Sequence, residues 1–83
     1  MQVTIKLYAT LADYLPAGTK ANRLTVDVVD GCSVGHALAP FALPPKLTHL
    51  VLVNGVFIPP GVRDSTILAE GDTLAVWPPI AGG

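Results

Sequence analysis

The sequence predicts a small α+β domain, with a mixed sheet of about five strands and one main helix packed across one face. Two runs of alternating polar and apolar residues, 2–9 and 73–77, are typical of strands that bury one side. Between them, Ser33 precedes apolar residues at helical spacing, which predicts a single helix. Strands that bury one face beside a single helix favour an α+β sheet whose apolar face the helix covers.

The amino-terminal third predicts two half-buried strands, one over 2–9 and one after the loop 16–20. Their apolar faces are formed by Val3, Ile5 and Leu7 in the first and by Leu24, Val26 and Val28 in the second. Residues 10–15 are expected to form a helical turn. Pro16 stops this turn because proline cannot continue a helix.

The helix is expected to begin after Ser33, whose hydroxyl suits an N-cap. Its buried side is formed by Val34, Ala37, Leu38 and Phe41. Pro40 limits the helix to about two turns, because a proline beyond the first turn removes an internal hydrogen bond.

The carboxy-terminal half predicts three more strands. The run 47–53 is apolar throughout 50–53, as expected for a central strand. Asn54-Gly55 predicts a hairpin into a short strand over 56–58. The last strand, 73–77, places Leu74 and Val76 on one face and Thr73, Ala75 and Trp77 on the other. We expect this strand and the first strand both to be central.

Size and charge narrow the function classes. Eighty-three residues form one domain with a small core, which leaves little room for a deep pocket and a catalytic apparatus. The net charge is −1, so no electrostatic field favours binding to nucleic acid or to an anionic membrane. No apolar run approaches the roughly 20 residues of a membrane span, and the first residues are unlike a signal peptide. The expected location is cytoplasmic.

A self-contained active site is not visible. Cys32 is the only cysteine and lacks a paired base, so it is expected to be a small buried residue. Cys32, His36 and His49 do not supply the roughly four ligands of a structural zinc site, and no metal is expected. Ser33 lacks the G-x-S-x-G context of a hydrolase nucleophile. Chemistry is therefore expected elsewhere in the chain.

The diglycine Gly82-Gly83 makes the terminal carboxylate a candidate reactive group. Glycine has no Cβ, so these residues can enter a slot too narrow for any other residue. Pro78 and Pro79 cannot donate to a sheet ladder and should end the last strand. We expect a folded domain over 1–77 and a flexible tail over 78–83, with Gly83 as the reactive residue and Gly82 beside it.

Exposed aromatic residues are the second candidate feature. Alternation places Tyr8 and Trp77 on the sheet face opposite the helix, and they lie close together if the first and last strands pair. Phe57, on the short strand, is expected to join them. Tyr and Trp are enriched in the anchors of protein interfaces, which favours a docking role over isolated exposed aromatics.

The chain resembles the ubiquitin-like MoaD/ThiS sulfur-carrier family, and most of all the small subunit of molybdopterin synthase. The matching residues are Leu52-Val53-Asn54-Gly55, Leu68-x-Glu70-Gly71-Asp72-x-Leu74-Ala75-Val76 and Trp77-Pro78-Pro79-Ile80-Ala81-Gly82-Gly83. The Pro-Pro-x-x-Gly-Gly ending is specific, whereas Asn-Gly and Gly-Asp alone are weak signals. The chain departs from the family in having Trp77 where Phe is more usual and in its short, proline-containing helix.

This resemblance implies a β-grasp fold and a mechanism. A ubiquitin-activating-type adenylyltransferase would use ATP and magnesium to adenylate Gly83, and a sulfurtransferase would indirectly supply the sulfur of a Gly83 thiocarboxylate. The large catalytic subunit of molybdopterin synthase would then receive the tail. The chain itself would bind no cofactor stably. The resemblance also implies that the partners are bound by Tyr8, Phe57, Trp77, Pro78, Pro79, Ile80 and Ala81.

Other functions remain open. The chain could carry sulfur for thiamine or another metabolite, or it could be a ubiquitin-like modifier joined through Gly83 to lysines of target proteins. A plain interaction domain with a coincidental diglycine is a further alternative. The residues alone do not decide whether the chain is an enzyme, because no self-contained active site is visible. The resemblance implies that it acts as the small subunit of molybdopterin synthase and donates sulfur.

Overall fold

The computed structural model describes residues 1–79, so the predicted tail residues Ile80, Ala81, Gly82 and Gly83 lie outside the described part. Within that part, five strands form one mixed sheet with one α-helix. The strands are β1 (Gln2–Leu7), β2 (Arg23–Asp27), β3 (Leu50–Val53), β4 (Val56–Phe57) and β5 (Thr73–Trp77), and the helix is α1 (Val34–Leu38). This arrangement confirms the predicted α+β class.

The spatial order of the sheet is β2-β1-β5-β3-β4. The central pair, β1 and β5, is parallel, with Thr4 opposite Thr73 and Leu7 opposite Val76, whereas the other neighbouring pairs are antiparallel. The prediction that the first and last strands are both central is therefore confirmed. The apolar strand β3 is interior as well, but it lies between β5 and the two-residue strand β4.

Alternation along the strands places the core on one face of the sheet, as predicted. The fully buried side chains include Val3, Ile5, Leu7, Leu11, Val34, Val51, Leu74 and Val76. Leu11 comes from a 3-10 turn, Ala9–Tyr14, where the sequence predicted a helical turn over 10–15. This turn follows β1 directly and adds one large apolar side chain to the end of the core.

The helix begins as predicted and ends sooner. The Ser33 hydroxyl accepts a hydrogen bond from the backbone N–H of His36 at 3.1 Å and thereby caps α1. The α-helix ends at Leu38, and the chain continues as a 3-10 turn, Ala39–Phe41, which contains Pro40. Proline lacks the N–H for an α-helical bond, so only part of the expected two turns is α-helical.

Strand β3 begins at Leu50, later than the predicted start at Leu47. The preceding residues form a 3-10 turn, Pro45–Leu47, and the Thr48 N–H and hydroxyl both donate to the Pro44 carbonyl. These local bonds hold the backbone in a turn and keep it out of the sheet ladder. The following hairpin agrees with prediction, because Asn54 and Gly55 both have the positive φ of a type I′ turn.

Candidate functional site

Tyr8 and Trp77 form a parallel aromatic stack on the sheet face opposite the helix. Tyr8 follows β1 in extended conformation, and its N–H donates to the Val76 carbonyl at 3.1 Å. This bond continues the β1–β5 ladder by one residue and sets Tyr8 beside Trp77. The ring centroids lie 4.4 Å apart with an interplanar angle of 2°. The predicted juxtaposition of these two aromatics is confirmed.

Two leucines extend the apolar surface around this stack. Leu50 pairs directly with Trp77, and Leu52 pairs with Ala75 on one side and with Phe57 on the other. Leu50 is 36% exposed although it is a large aliphatic residue in an interior strand. Both leucines therefore face away from the core, while Val51 between them is fully buried.

Sequence reasoning did not assign Leu50 and Leu52 to the candidate site. The apolar run 50–53 predicts a central strand, because a strand buried on both faces is apolar throughout. The same pattern also arises when one face covers the core and the other face is apolar but uncovered. The available signal is the uninterrupted apolar run itself, because it places apolar side chains on both faces of the strand while the helix covers only one.

Phe57 lies on the same face of the sheet but apart from the stack. It is 49% exposed on the edge strand β4, with Leu52 between it and β5. Within residues 1–79, the one contact between aromatic rings is that of Tyr8 with Trp77, so Phe57 stacks on neither ring. Phe57 therefore lies on the expected face of the sheet. The expectation that its ring joins the Tyr8–Trp77 stack is wrong, because Leu50 and Leu52 lie between Phe57 and the stack.

We name the surface formed by Tyr8, Leu50, Leu52, Phe57 and Trp77 the aromatic patch. The other half of this sheet face, on β1 and β2, is polar, with Thr4, Lys6, Arg23 and Thr25. An apolar area bordered by polar residues is typical of a protein-binding surface. The aromatic residues are of the type that anchors such interfaces.

The aromatic patch lies where the chain leaves the sheet. Strand β5 ends at Trp77, and Pro78 and Pro79 follow outside the ladder, as predicted for prolines. The Trp77 carbonyl still accepts a hydrogen bond from the His49 N–H at 3.2 Å, which fixes the exit point against the start of β3. The segment toward Gly82-Gly83 therefore starts at the edge of the aromatic patch.

The remaining candidate residues are separate from this surface. Cys32 is 4% exposed and its Sγ donates to the Ser33 carbonyl at 3.4 Å, which confirms a small buried residue. His36 is exposed on α1, and His49 is exposed just before β3. In the described range 1–79, no group of three His, Cys, Asp or Glu side chains could hold a metal ion. None of the helices in that range has the length and hydropathy that crossing a bilayer demands.

Arg63 fixes the turn that leads into β3, a role for which the sequence offered no signal. Its guanidinium donates to three backbone carbonyls, from Nε to Ile58, from Nη1 to Thr48 and from Nη2 to His49, at 3.0–3.2 Å. Burial lowers the pKa of the Arg63 guanidinium, because desolvation disfavours the charged form. These bonds hold His49, and hence the strand that carries Leu50, in place.

The sheet order, the parallel central pair and the helix across one face define a ubiquitin-like β-grasp protein. A family model described as the ThiS family matches residues 5–83, so the chain belongs to the ThiS family. This match confirms the resemblance to MoaD/ThiS proteins. The chain is thus of the ubiquitin-like class that contains sulfur carriers and small protein modifiers.

Solved structures share this fold along the whole chain. Two crystal structures of SAMP1, the small archaeal modifier protein 1 of Haloferax volcanii, are 29% and 27% identical with TM-scores of 0.73 and 0.70. The alignments cover 100% of both chains in the first and 95% of this chain and 98% of that chain in the second.

Two further structures are more distant in sequence. ThiS from Geobacter metallireducens is 19% identical with a TM-score of 0.66, and 100% of each chain is covered. A complex of subunits 1 and 2 of the molybdopterin-converting factor from Helicobacter pylori 26695 contains a chain that is 17% identical with a TM-score of 0.63, again with 100% of each chain covered. At these identities the likeness shows the fold alone. No curated protein is significantly similar to this chain in sequence.

Proposed function

We propose that this protein carries sulfur as a thiocarboxylate on Gly83 and donates it in the biosynthesis of molybdopterin. The observation that carries the proposal is the half-buried Tyr8–Trp77 stack, placed where β5 ends and Pro78 begins the segment that leads to the diglycine. A docking surface beside a slender reactive segment lets a partner hold the domain while the segment enters its active site.

The proposed chemistry activates a poor electrophile. A carboxylate oxygen of Gly83 attacks the α-phosphate of ATP on an adenylyltransferase that also binds magnesium, and pyrophosphate leaves. A hydrosulfide-type nucleophile, supplied through a sulfurtransferase, then attacks the acyl carbon, and the bond to AMP breaks. The product is a thiocarboxylate, free AMP and a released proton. Catalysis belongs to the partners, and this protein supplies the acyl group and the surface that they bind.

The partner that receives the sulfur is proposed to be the large subunit of molybdopterin synthase. A protein of the same fold is present in the Helicobacter pylori complex of molybdopterin-converting factor subunits 1 and 2, which offers a precedent for such pairing. The aromatic patch has the composition that a subunit interface favours, with aromatic anchors and no charged residue at its centre. The receiving active site would take the residues beyond Pro79.

A second candidate function is protein modification through Gly83. Its support is the 29% identity to SAMP1, which is higher than the identities to the ThiS and molybdopterin-converting-factor structures. A third is sulfur transfer to thiamine or another metabolite, which the match to the ThiS family supports. Both alternatives use the same adenylated Gly83, so the three functions separate at the step after activation.

The intact mass of the protein purified from its own host tests these functions. A carrier gains about 16 Da when sulfur replaces oxygen at Gly83, and a modifier appears as higher-mass conjugates. Incubation of the thiocarboxylate form with a molybdopterin synthase large subunit and its pterin precursor then tests the pathway. Conversion of the precursor with return of the original mass supports the proposal. A stable thiocarboxylate that this subunit cannot discharge would redirect the function to another metabolite.

A further inference from the structure

The outer edge of β2 carries hydrogen-bonding groups that no other strand of the described part uses. In residues 1–79, β2 lies at one end of the sheet and pairs with β1 alone. Met1 and Val28 form a hydrogen-bonded pair, in which each backbone nitrogen donates to the other residue's carbonyl at 2.8 Å. This pair determines which residues of β2 bond to β1, because bonded and non-bonded positions alternate along an antiparallel strand. By that alternation Leu24 and Val26 bond to β1, whereas the N–H and C=O groups of Arg23, Thr25 and Asp27 point outward.

The side chains along this edge are self-complementary about Thr25. The strand reads Arg-Leu-Thr-Val-Asp, with a cation two residues before Thr25 and an anion two residues after it. Arg23, Thr25 and Asp27 are all exposed on one face. Within residues 1–79 neither Arg23 nor Asp27 belongs to an ion pair, since the one ion pair there joins the Met1 amino group to Asp30.

We propose that two copies of this chain pair through β2 in antiparallel orientation, with Thr25 on the two-fold axis. In this register, Arg23 of each copy lies opposite Asp27 of the other, and the two Thr25 residues lie opposite each other. A two-fold axis makes each such contact occur twice. This proposal concerns the assembly of the protein and does not depend on the sulfur-carrier function.

The backbone supports this pairing. The two Thr25 residues would exchange both N–H···O=C bonds, and each Asp27 N–H would donate to the Arg23 carbonyl of the other copy. That gives four new bonds from groups that point to solvent in the single chain. The Arg23 N–H already donates to Lys20 at 3.3 Å within its own chain, so it is not needed for the pairing.

Charge selects this register over its neighbours. Lys6 lies directly opposite Arg23 in the β1–β2 pair, and like charges at such a position are destabilising. Asp27 of a second copy would place an anion on the other side of Arg23 and compensate this repulsion. A shift of the pairing by two residues would remove both Arg–Asp pairs, and a parallel pairing in register would put Arg23 against Arg23.

The two-fold axis of such a pair runs perpendicular to the sheet, so both aromatic patches face the same side. The patch is centred on β5 and β3 and remains uncovered when β2 is paired. A contact of two short strands buries less area than a stable dimer, so we expect a weak association with a dissociation constant of about 0.1–1 mM. Paired copies could therefore still dock to partners.

Charge exchange tests the proposal directly. Sedimentation equilibrium of the full chain would measure the association of the wild type, R23D, D27R and the double variant R23D/D27R. Concentrations would extend to about 1 mM, which matches the expected affinity. Each single reversal places two like-charge pairs across the axis, and we expect at least tenfold weaker association. The double variant restores both pairs with opposite polarity, and we expect stronger association than in either single variant.

The variants are designed to fold. R23D places an anion opposite Lys6 within the same chain, which removes a repulsion, and D27R faces the neutral Gln2. A further variant, T25P, removes the outward N–H of residue 25 and no N–H that bonds β1, and it should abolish association. Circular dichroism checks that each variant is folded.

Two results would overturn the proposal. A wild-type mass that stays at the monomer value of 8.6 kDa at every concentration would exclude the dimer. A folded double variant that associates no better than the single reversals, or four proteins that associate equally, would place any contact at another surface.

Discussion

Tyr8 and Trp77 stack with their rings parallel and 4.4 Å between centroids, although neither side chain lies in the core. Trp77→Ala should weaken binding to the activating enzyme or the synthase by about 2 kcal/mol or more, the size expected of an interface anchor. The isolated domain should lose less than the roughly 3–5 kcal/mol of a core Trp truncation. Calorimetric affinity and chemical denaturation of the same variant make the comparison.

Val29→Ala is the matched control for the Trp77 variant. Val29 is 76% exposed in the turn after β2, away from the aromatic patch, so its truncation should change neither affinity nor stability noticeably. If Trp77→Ala is strongly destabilised but binds its partners normally, then Trp77 supports the fold and the aromatic patch is not the docking surface.

Deletion of Gly83 should abolish sulfur transfer while the domain keeps its stability. The buried core is formed by residues between Val3 and Val76, and β5 ends at Trp77, so the change lies beyond the elements that hold the fold. Thermal melts of the deletion variant and the wild type should agree. Sulfur transfer by the shortened chain would reject Gly83 as the carrier, and a lower melting temperature would assign the terminus a structural role.

Cys32→Ala should retain sulfur-carrier activity, because the proposed sulfur resides on the Gly83 acyl carbon. Cys32 is buried and its Sγ contacts only a neighbouring carbonyl by hydrogen bond, so we expect a modest stability loss from the small cavity. Transfer assays and circular dichroism on the same preparation are the required measurements. An inactive variant with an intact fold would indicate a persulfide on Cys32.

Arg63→Met should destabilise the domain by about 2 kcal/mol or more, because hydrogen bonds to a charged group contribute about 1.5–3 kcal/mol. Methionine keeps the apolar stem but leaves the carbonyls of Ile58, Thr48 and His49 without their donors. Urea denaturation measures the change. Lys46→Met removes an exposed cation from the same region and should stay within about 0.5 kcal/mol of the wild type. Equal effects of the two substitutions would contradict the proposed role of Arg63.

The local pattern of polar and apolar residues was sufficient to predict the sheet and the Tyr8–Trp77 part of the candidate site. Alternation fixes which side of a strand is buried, so the bounds of β5 and the shared face of Tyr8 and Trp77 followed from sequence alone. The Ser33 cap was also predictable, since a hydroxyl before an apolar helical pattern bonds the nearby backbone.

The features that were missed depend on residues distant in sequence. The start of β3 at Leu50 depends on the local bonds of Thr48 to Pro44 and also on Arg63, which bonds carbonyls 14 and 15 positions earlier in the chain. No local pattern encodes such a contact. The exposure of Leu50 arises because the helix and the turns pack against the opposite face of the sheet and no described element covers this one.

The parallel pairing of β1 with β5 has a consequence for how the protein is made. The loop that this pair closes spans nearly the whole domain, so much of its stability depends on non-local contacts, which form slowly. Until β5 has been synthesised, both β1 and β3 lack their shared neighbour, and their apolar faces cannot be fully covered. A prematurely terminated chain should thus stay unfolded and be cleared by proteases. Every copy that folds should therefore have been synthesised through Trp77.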